Sequence, residues 1–554
     1  MKLLHFIGRE AQAPRKTILF MAALSGAADA LLLAIVNTAA EQLGGGEMQV
    51  QLLLLYLLTF GIFLTAQQYA LGQSVAAVEL GLQRVKLRIA DQVRRSDLRF
   101  IEASGGIGAY TPLGRDVGLI SQGVIILVLG VQNALMLAFA LLYLAYLSPL
   151  TLLATLVILA VAVPAYLRHY QQSADDLAAA ADSEAEVFNR FAGMLDGFKE
   201  LKLDRGESDA WFADIGDTAR AAYRRKLAAN ARQVQDLIFA NTISYLLLFA
   251  AVFVIPALIP QTDGTVLKVT AMLLFALGAL TAAANAIPFI GKVEAAVANL
   301  YRLEDRSTRP AEGPEPDAPL GDFATIAAQA LCFHYSDAQG ATPFRVGPFD
   351  LTLRRGELVF IVGGNGSGKS TLLKLLTGLY RPEQGRLLLD GQALRDTDYP
   401  TYRSLFTSVF ADFHLFERLY GIPDLDPAQV NRQLAALGLA QKTVYTERGF
   451  SNLDLSTGQK KRLAFIAAVL KGRPICIFDE LAADQDPEFR RRFYEQILPE
   501  LKGAGRTIVC VSHDDRYFHT ADRVLKVSDG QVIEVDPAAA GRPTDLKWIP
   551  KTGQ

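Results

Sequence analysis

The chain has 554 residues, too many for one hydrophobic core, so at least two domains are expected. Hydrophobic residues make up 51% of it, mean hydropathy is positive and the formal net charge is only −2. That balance suits a membrane and implies no basic face for a nucleic-acid partner.

Six stretches reach the roughly 20 mostly apolar residues that a transmembrane helix needs: residues 18–39, 51–71, 120–147, 150–167, 237–259 and 266–290. The first is too long for the apolar region of a signal peptide and is followed by five more, so it reads as a span. Seven lysines and arginines, from Arg84 to Arg115, lie in the second connection and ten, from Arg168 to Arg232, in the fourth. The first, third and fifth connections are short and hold Glu41, Glu47 and Asp263 but no basic residue. The basic connections, both termini and everything after the last span are therefore expected in the cytoplasm. Both long connections have amphipathic helical patterning, and about 25 helical residues extend close to 40 Å. Their tips, near residues 97–104 and 195–203, are candidates for short helices that press on a cytoplasmic domain. Asp29, inside the first span, is costly in lipid and is expected to face a cavity or a polar partner.

Four prolines within residues 307–322 mark a linker. Residues 1–306 thus form an all-α polytopic membrane domain with six transmembrane helices, and residues 323–554 form an α/β domain of short apolar strands alternating with helices. All three cysteines (Cys332, Cys476 and Cys510) fall in this half, mostly within apolar runs. They read as buried, reduced thiols rather than a disulfide framework or a metal cluster.

Residues Gly363, Gly364, Asn365, Gly366, Ser367, Gly368, Lys369, Ser370 and Thr371 fit the phosphate-binding pattern G-x-x-x-x-G-K-[ST], between an apolar strand and a helical run. The glycines let backbone N–H groups wrap phosphates, and the helix N-terminus adds its positive end. Lys369 is expected to reach the β- and γ-phosphates of ATP, and the Ser370 hydroxyl to sit on Mg2+. A second apolar strand ends in Asp479 and Glu480. Asp479 would hold Mg2+ through water, and Glu480 would polarise the attacking water as a general base.

With these residues the sequence resembles the ATP-binding cassette (ABC) family, whose other landmarks follow in order. Leu455-Ser456-Thr457-Gly458-Gln459 resembles the family signature, with Thr457 where glycine is usual. The resemblance implies that this helix start is offered to the γ-phosphate on a partner subunit. Ala483 to Asp486 occupy the place of the D-loop, with Asp486 as a nucleotide-site residue. His513 matches the switch histidine, although a lone histidine would otherwise read as structural. Tyr335 looks like the aromatic residue that stacks on adenine, and Glu447-Arg448-Gly449 like the segment that touches coupling helices. One landmark departs: Ala411 stands where glutamine normally contacts Mg2+ and water.

The order of membrane domain and cassette resembles ABC exporters of the type IV architecture. Residues 361–380, 409–416 and 197–203 resemble the cyclic-peptide exporter subfamily, whose members move syringomycin-type lipopeptides, pyoverdine precursors or microcins. This implies a homodimer in the lipid of a bacterial inner membrane, a peptide-like substrate and a periplasmic or outer-membrane export partner. A siderophore importer of exporter-like architecture and a non-transporting regulatory ATPase are the alternatives.

Overall fold

A computed structural model of the chain describes residues 2–10, 14–42, 50–103, 112–258, 263–307, 322–335, 345–528 and 530–536. The expected linker, apart from its end residues, and the expected external residue Glu47 lie outside these. The chain divides into two compact units, one of residues 1–92 and 107–307, the other of 93–106 and 308–554.

The first unit is helical. It comprises α1 (Lys2–Glu10), α2 (Arg15–Gln42) and α3 (Val50–Arg94), then α5 (Pro112–Leu147), α6 (Pro149–Asp196), α7 (Phe198–Leu203), α8 (Arg205–Phe249), α9 (Ile255–Leu258) and α10 (Asp263–Ser307), while α4 (Leu98–Ala103) belongs to the second unit. At about 1.5 Å per residue, the 45 residues of α3 extend roughly 68 Å, over twice the ~30 Å hydrocarbon core of a bilayer. Local chemistry sets the helix starts. Ser148 caps α6 ahead of Pro149, and the Asp204 carboxylate accepts from Gly206 N–H at 2.7 Å and Glu207 N–H at 3.1 Å to begin α8. Between α8 and α9 the helix widens to a π turn at Ala250–Val254, just ahead of Pro256, whose missing N–H interrupts the regular ladder.

Among the described residues, five helices are long and apolar enough to cross a membrane: Lys16–Ala39, Val50–Arg94, Leu113–Leu147, Pro149–Tyr166 and Arg205–Ala257. The sixth expected span falls within α10, a continuous helix whose described apolar stretch, Val266–Ala282, is shorter than the expected 266–290. The helices pack through small residues. A methyl at Gly26 would come within 2.8 Å of the Gln132 carbonyl, and one at Gly123 within 2.6 Å of Val293. Beside the first contact, Gln132 donates to the buried Ser25 hydroxyl at 2.9 Å. Arg88 of α3 bonds Glu304 of α10 at 2.6 Å and Glu10 of α1 at 2.9 Å, and the buried carboxylates pin α1 to both.

The second unit contains β1 (Thr325–His334), β2 (Arg345–Arg354), β3 (Leu358–Val362), α11 (Lys369–Leu376), β4 (Gln384–Leu389), β5 (Gln392–Ala393), α12 (Tyr399–Arg403) and β6 (Phe406–Val409). It continues with α13 (Pro427–Ala436), β7 (Tyr445–Thr446), β8 (Gly449–Phe450), α14 (Thr457–Leu470), β9 (Ile475–Asp479), α15 (Pro487–Arg492), α16 (Leu498–Gly503), β10 (Thr507–Val511), β11 (Arg523–Ser528) and β12 (Gln531–Val535). Strands order as β12-β11-β3-β10-β9-β6, parallel except for β12, and an antiparallel sheet orders β2-β1-β4-β5. Every residue of β3, β9 and β10 is buried, which is why these strands are unbroken apolar runs. Side chains alternate between two cores: Phe360, Cys476, Phe478 and Cys510 pack with α14 and α15, whereas Ile361, Ile477 and Val509 pack with α11. All three cysteines are buried free thiols.

The expected tip helices exist. Leu98 of α4 packs against the α11 core, and Arg99 lies over the Phe333 ring at 5.1 Å and pairs with Glu383 at 3.0 Å. Glu102 accepts from Lys374 at 2.8 Å and from the Tyr380 hydroxyl. The second tip is α7, which buries none of its residues and leaves Phe198 and Leu203 exposed.

Candidate nucleotide site

The site begins where β3 runs into α11. Gly363 has φ +154°, and a methyl there would lie 2.2 Å from the Val527 carbonyl of β11. Only glycine lets the chain turn off the sheet this close to its neighbour. Gly368, at φ +103°, precedes the first residue of α11, and the exposed Asn365 and Gly366 form the tip of the loop between. Lys369 is buried and donates to the Gly363 and Gly364 carbonyls, each at 2.9 Å, so its ammonium lies inside the loop. The Ser367 hydroxyl is buried with no hydrogen-bond partner, an unsatisfied group in the turn that opens α11. Such a cradle fits an anion.

The carboxylates stand at the end of β9. Asp479 Oδ2 is 3.5 Å from the Ser370 hydroxyl. Burial pushes the Asp479 carboxyl above its ordinary range, the Glu480 charge adds to this, and the nearby Ala411 main-chain N–H opposes it. The Ser370 hydroxyl and the Asp479 carboxyl stand side by side as hard oxygen donors, a set suited to a divalent cation such as Mg2+. At position 411 the alanine side chain is exposed, and only the main-chain N–H of the residue is near the Asp479 carboxyl.

Glu480 adopts φ +51°, a left-handed conformation rare for a non-glycine residue. Its carboxylate lies 3.0 Å from His513 Nε2, which follows β10, the parallel neighbour of β9. Tyr335, just after β1, joins its hydroxyl to Thr371 Oγ1 at 2.8 Å and stands edge-on to Phe333, the residue still 39% exposed. That ring offers a stacking surface next to the phosphate loop. Burial, with the Glu102 bond, holds the Tyr380 hydroxyl far above its usual range, so it remains a proton donor.

The structure thus gathers Ser367, Lys369, Ser370, Thr371, Asp479, Glu480, His513 and Tyr335 in one region. Ser456, Thr457, Gly458 and Gln459 lie elsewhere, at the start of α14. Ser456 and Gln459 form a reciprocal cap, and a methyl at Gly458 would lie 2.8 Å from the Asp484 carbonyl. Among the described residues their hydrogen bonds reach the 483–486 loop, through Gln485 to the Gly458 carbonyl at 2.8 Å, and not the phosphate loop. Asp486 is engaged locally: it caps α15 at Phe489 N–H (2.8 Å) and pairs with Arg462, whose guanidinium lies over Phe489. Sequence reasoning passed over Lys461, a buried lysine in α14 that reads in Lys460-Lys461-Arg462 as part of a solvated basic run.

Residues 346–483 match the ABC transporter family. The ATP-binding protein SyrD of Pseudomonas syringae pv. syringae is 34% identical over 485 residues, covering 83% of this chain and 84% of that protein. An ATP-dependent lipid A-core flippase of Cupriavidus metallidurans is 26% identical over 92% of this chain and 88% of its own length. Among solved structures, a bacterial Atm1-family ABC exporter with ATP bound superposes with a TM-score of 0.75 at 19% identity, with 94% of each chain covered. With a helical membrane domain joined to one ATP-binding cassette, the chain belongs to the ABC transporter family, as an exporter half-transporter that couples ATP hydrolysis to transport.

Proposed function

We propose that this half-transporter works as a homodimer in a bacterial inner membrane and exports a peptide-type substrate, namely a cyclic peptide, lipopeptide or siderophore precursor. The observation that carries the substrate class is the extent of the likeness to SyrD. It runs at 34% identity over 83% of the chain, through both domains. Lipid A-core flippases reach 32–36% identity over 34–42% of the chain, as in the 36% match of the Ralstonia nicotianae flippase over 34% of it, and the Cupriavidus metallidurans flippase is 26% identical over 92%. Cassettes resemble one another because all bind ATP; the membrane domain is where cargo is chosen.

Within the cassette, the loop amides and Lys369 hold the phosphates of ATP, and Tyr335 stacks on the adenine. Ser370 and Asp479 would hold Mg2+, which when bound offsets charge on the β- and γ-phosphates. Glu480 takes a proton from water as the water oxygen bonds to the γ-phosphorus, and the bond from that phosphorus to the β–γ bridging oxygen breaks, leaving ADP. His513, 3.0 Å away, orients the Glu480 carboxylate. Ser456 to Gln459 bond away from their own phosphate loop, which suits the reading that they, with Asp486 nearby, complete the site on a second copy. A cassette groove of about 460 Å3, lined by Phe410, His414, Phe416 and Tyr420, is the surface we assign to a coupling segment of that copy. Alternating access follows, since closure on two ATP molecules would turn the cavity outward and hydrolysis would reset it.

The test is ATP-dependent uptake of labelled cyclic lipopeptides into inverted vesicles, where the cassette faces outward, with Glu480→Gln as the inactive control. Uptake in inverted vesicles supports export. Accumulation only in right-side-out vesicles would point to import, and ATPase activity without flux of any peptide would overturn the transport reading of its cargo.

A further inference from the structure

We propose that Lys461 is a positioning residue for ATP hydrolysis, holding the main chain of Glu480 so that its carboxylate stays aimed at the water; this rests on the reading of Glu480 as the base. Lysine is among the residues least often buried, yet the Lys461 side chain is only 8% exposed. A buried ammonium needs both charge and hydrogen-bond compensation. Lys461 finds them on two partners of the segment that follows β9: it donates to the Glu480 carbonyl at 2.9 Å and pairs with the Asp484 carboxylate at 2.7 Å.

The bond falls on the residue that most needs support. Glu480 sits at φ +51°, and relaxation to an extended or right-handed backbone would rotate its Cα–Cβ bond and carry the carboxylate away from His513. Its own amide is tied at 3.3 Å to the Val511 carbonyl, and its carbonyl also accepts from the Ala483 N–H at 3.2 Å. The ammonium makes the shortest and only charge-assisted of these main-chain ties. Because Lys461 stands on the helix that opens with Ser456 to Gln459, it also links that helix to the base. Asp484 supplies the counter-charge to the buried lysine.

The alternative is that Lys461 and Asp484 are merely a buried ion pair, whose removal affects packing alone. Two double variants of the full-length transporter, reconstituted in lipid, separate these roles. Lys461→Gln with Asp484→Ala removes both charges but leaves an amide donor for the Glu480 carbonyl; Lys461→Met with Asp484→Ala removes both charges and the donor. The expected result is that Lys461→Met alone lowers kcat for ATP at least tenfold with KM changed less than about twofold, and that the Gln/Ala pair recovers most of the rate while the Met/Ala pair does not. Equal turnover of the two double variants overturns the positioning role, and this comparison decides even if Lys461→Met alone does not fold. Glu480→Gln is measured in parallel. If it turns over normally, the assignment of the base fails; if it is inactive while Lys461→Met retains full kcat, only the role of Lys461 fails.

Discussion

Replacing Gly363 by alanine tests whether the phosphate loop depends on backbone geometry. The added methyl would lie 2.2 Å from the Val527 carbonyl, against 3.4 Å for an ordinary contact, so relief requires a movement of 3.4 − 2.2 = 1.2 Å. Val527 belongs to β11, which is hydrogen-bonded in register to β3 with Lys526 opposite Val362, and neither strand can retreat without breaking that ladder. A strained φ costs about 1–3 kcal/mol and overpacking about 1–3 more, so Gly363→Ala should destabilise the cassette by about 2–6 kcal/mol. At about 2–4 °C per kcal/mol for a domain of this size, its melting transition should fall by about 4–24 °C. Gly366 is the internal control. Its φ is +76° but nothing lies within 4 Å of a methyl there, so only the backbone cost of about 1–2 kcal/mol applies, or about 2–8 °C. Scanning calorimetry of both full-length variants, with and without ATP, measures the difference. If Gly363→Ala melts with the wild type and keeps its ATP-induced shift, or if Gly366→Ala is the worse of the two, the steric reasoning is wrong.

Further outcomes follow from the same geometry. Glu480→Gln should cut turnover by about 10²–10⁴-fold and trap an ATP-bound dimer, detectable by size in detergent; near-normal turnover would remove Glu480 as the base. Ala411→Gln should fold normally, because the side chain at 411 is exposed, yet change basal ATPase severalfold. An unchanged rate would mean that the side chain at this position has no catalytic meaning. Tyr380→Phe deprives Glu102 of one donor while Lys374 remains, a loss of about 0.5–1.5 kcal/mol, and should loosen α4 without unfolding the cassette. Faster hydrogen exchange across residues 98–103 would register it, and unaltered exchange would count against the bond. Burial pushes the Cys476 and Cys510 thiols up, so the reactive thiolate is scarce at mildly alkaline pH and becomes available only as pH rises toward the shifted values. Both should escape maleimide in the native protein and react after denaturation.

The fold was legible in the sequence wherever its cause is local. Spans announce themselves by uninterrupted apolar length, the phosphate loop by glycines between a strand and a helix, and the α4 and α7 tips by where the amphipathic patterning ends. The parallel strands were equally plain, because a strand buried on both faces must be apolar throughout, as 475–478 is. What required the tertiary structure is pairing across distance. The Ala411 side chain has no reach, but β6 lies beside β9, and that brings the main chain at 411 near Asp479. Asp486 is expected at a nucleotide site from its place in the chain, and only the fold shows the helix cap and the Arg462 pairing that its carboxylate makes within its own chain. Nothing in the sequence around Lys461 marks it as buried; only the return of the chain after β9 supplies the carbonyl and the carboxylate that let an ammonium be buried. Periodicity and spacing decide which residues can form an element, because those depend on neighbours a few positions away. Which partner a buried polar group meets depends on how the elements stack, and that is settled by the packing of the whole domain.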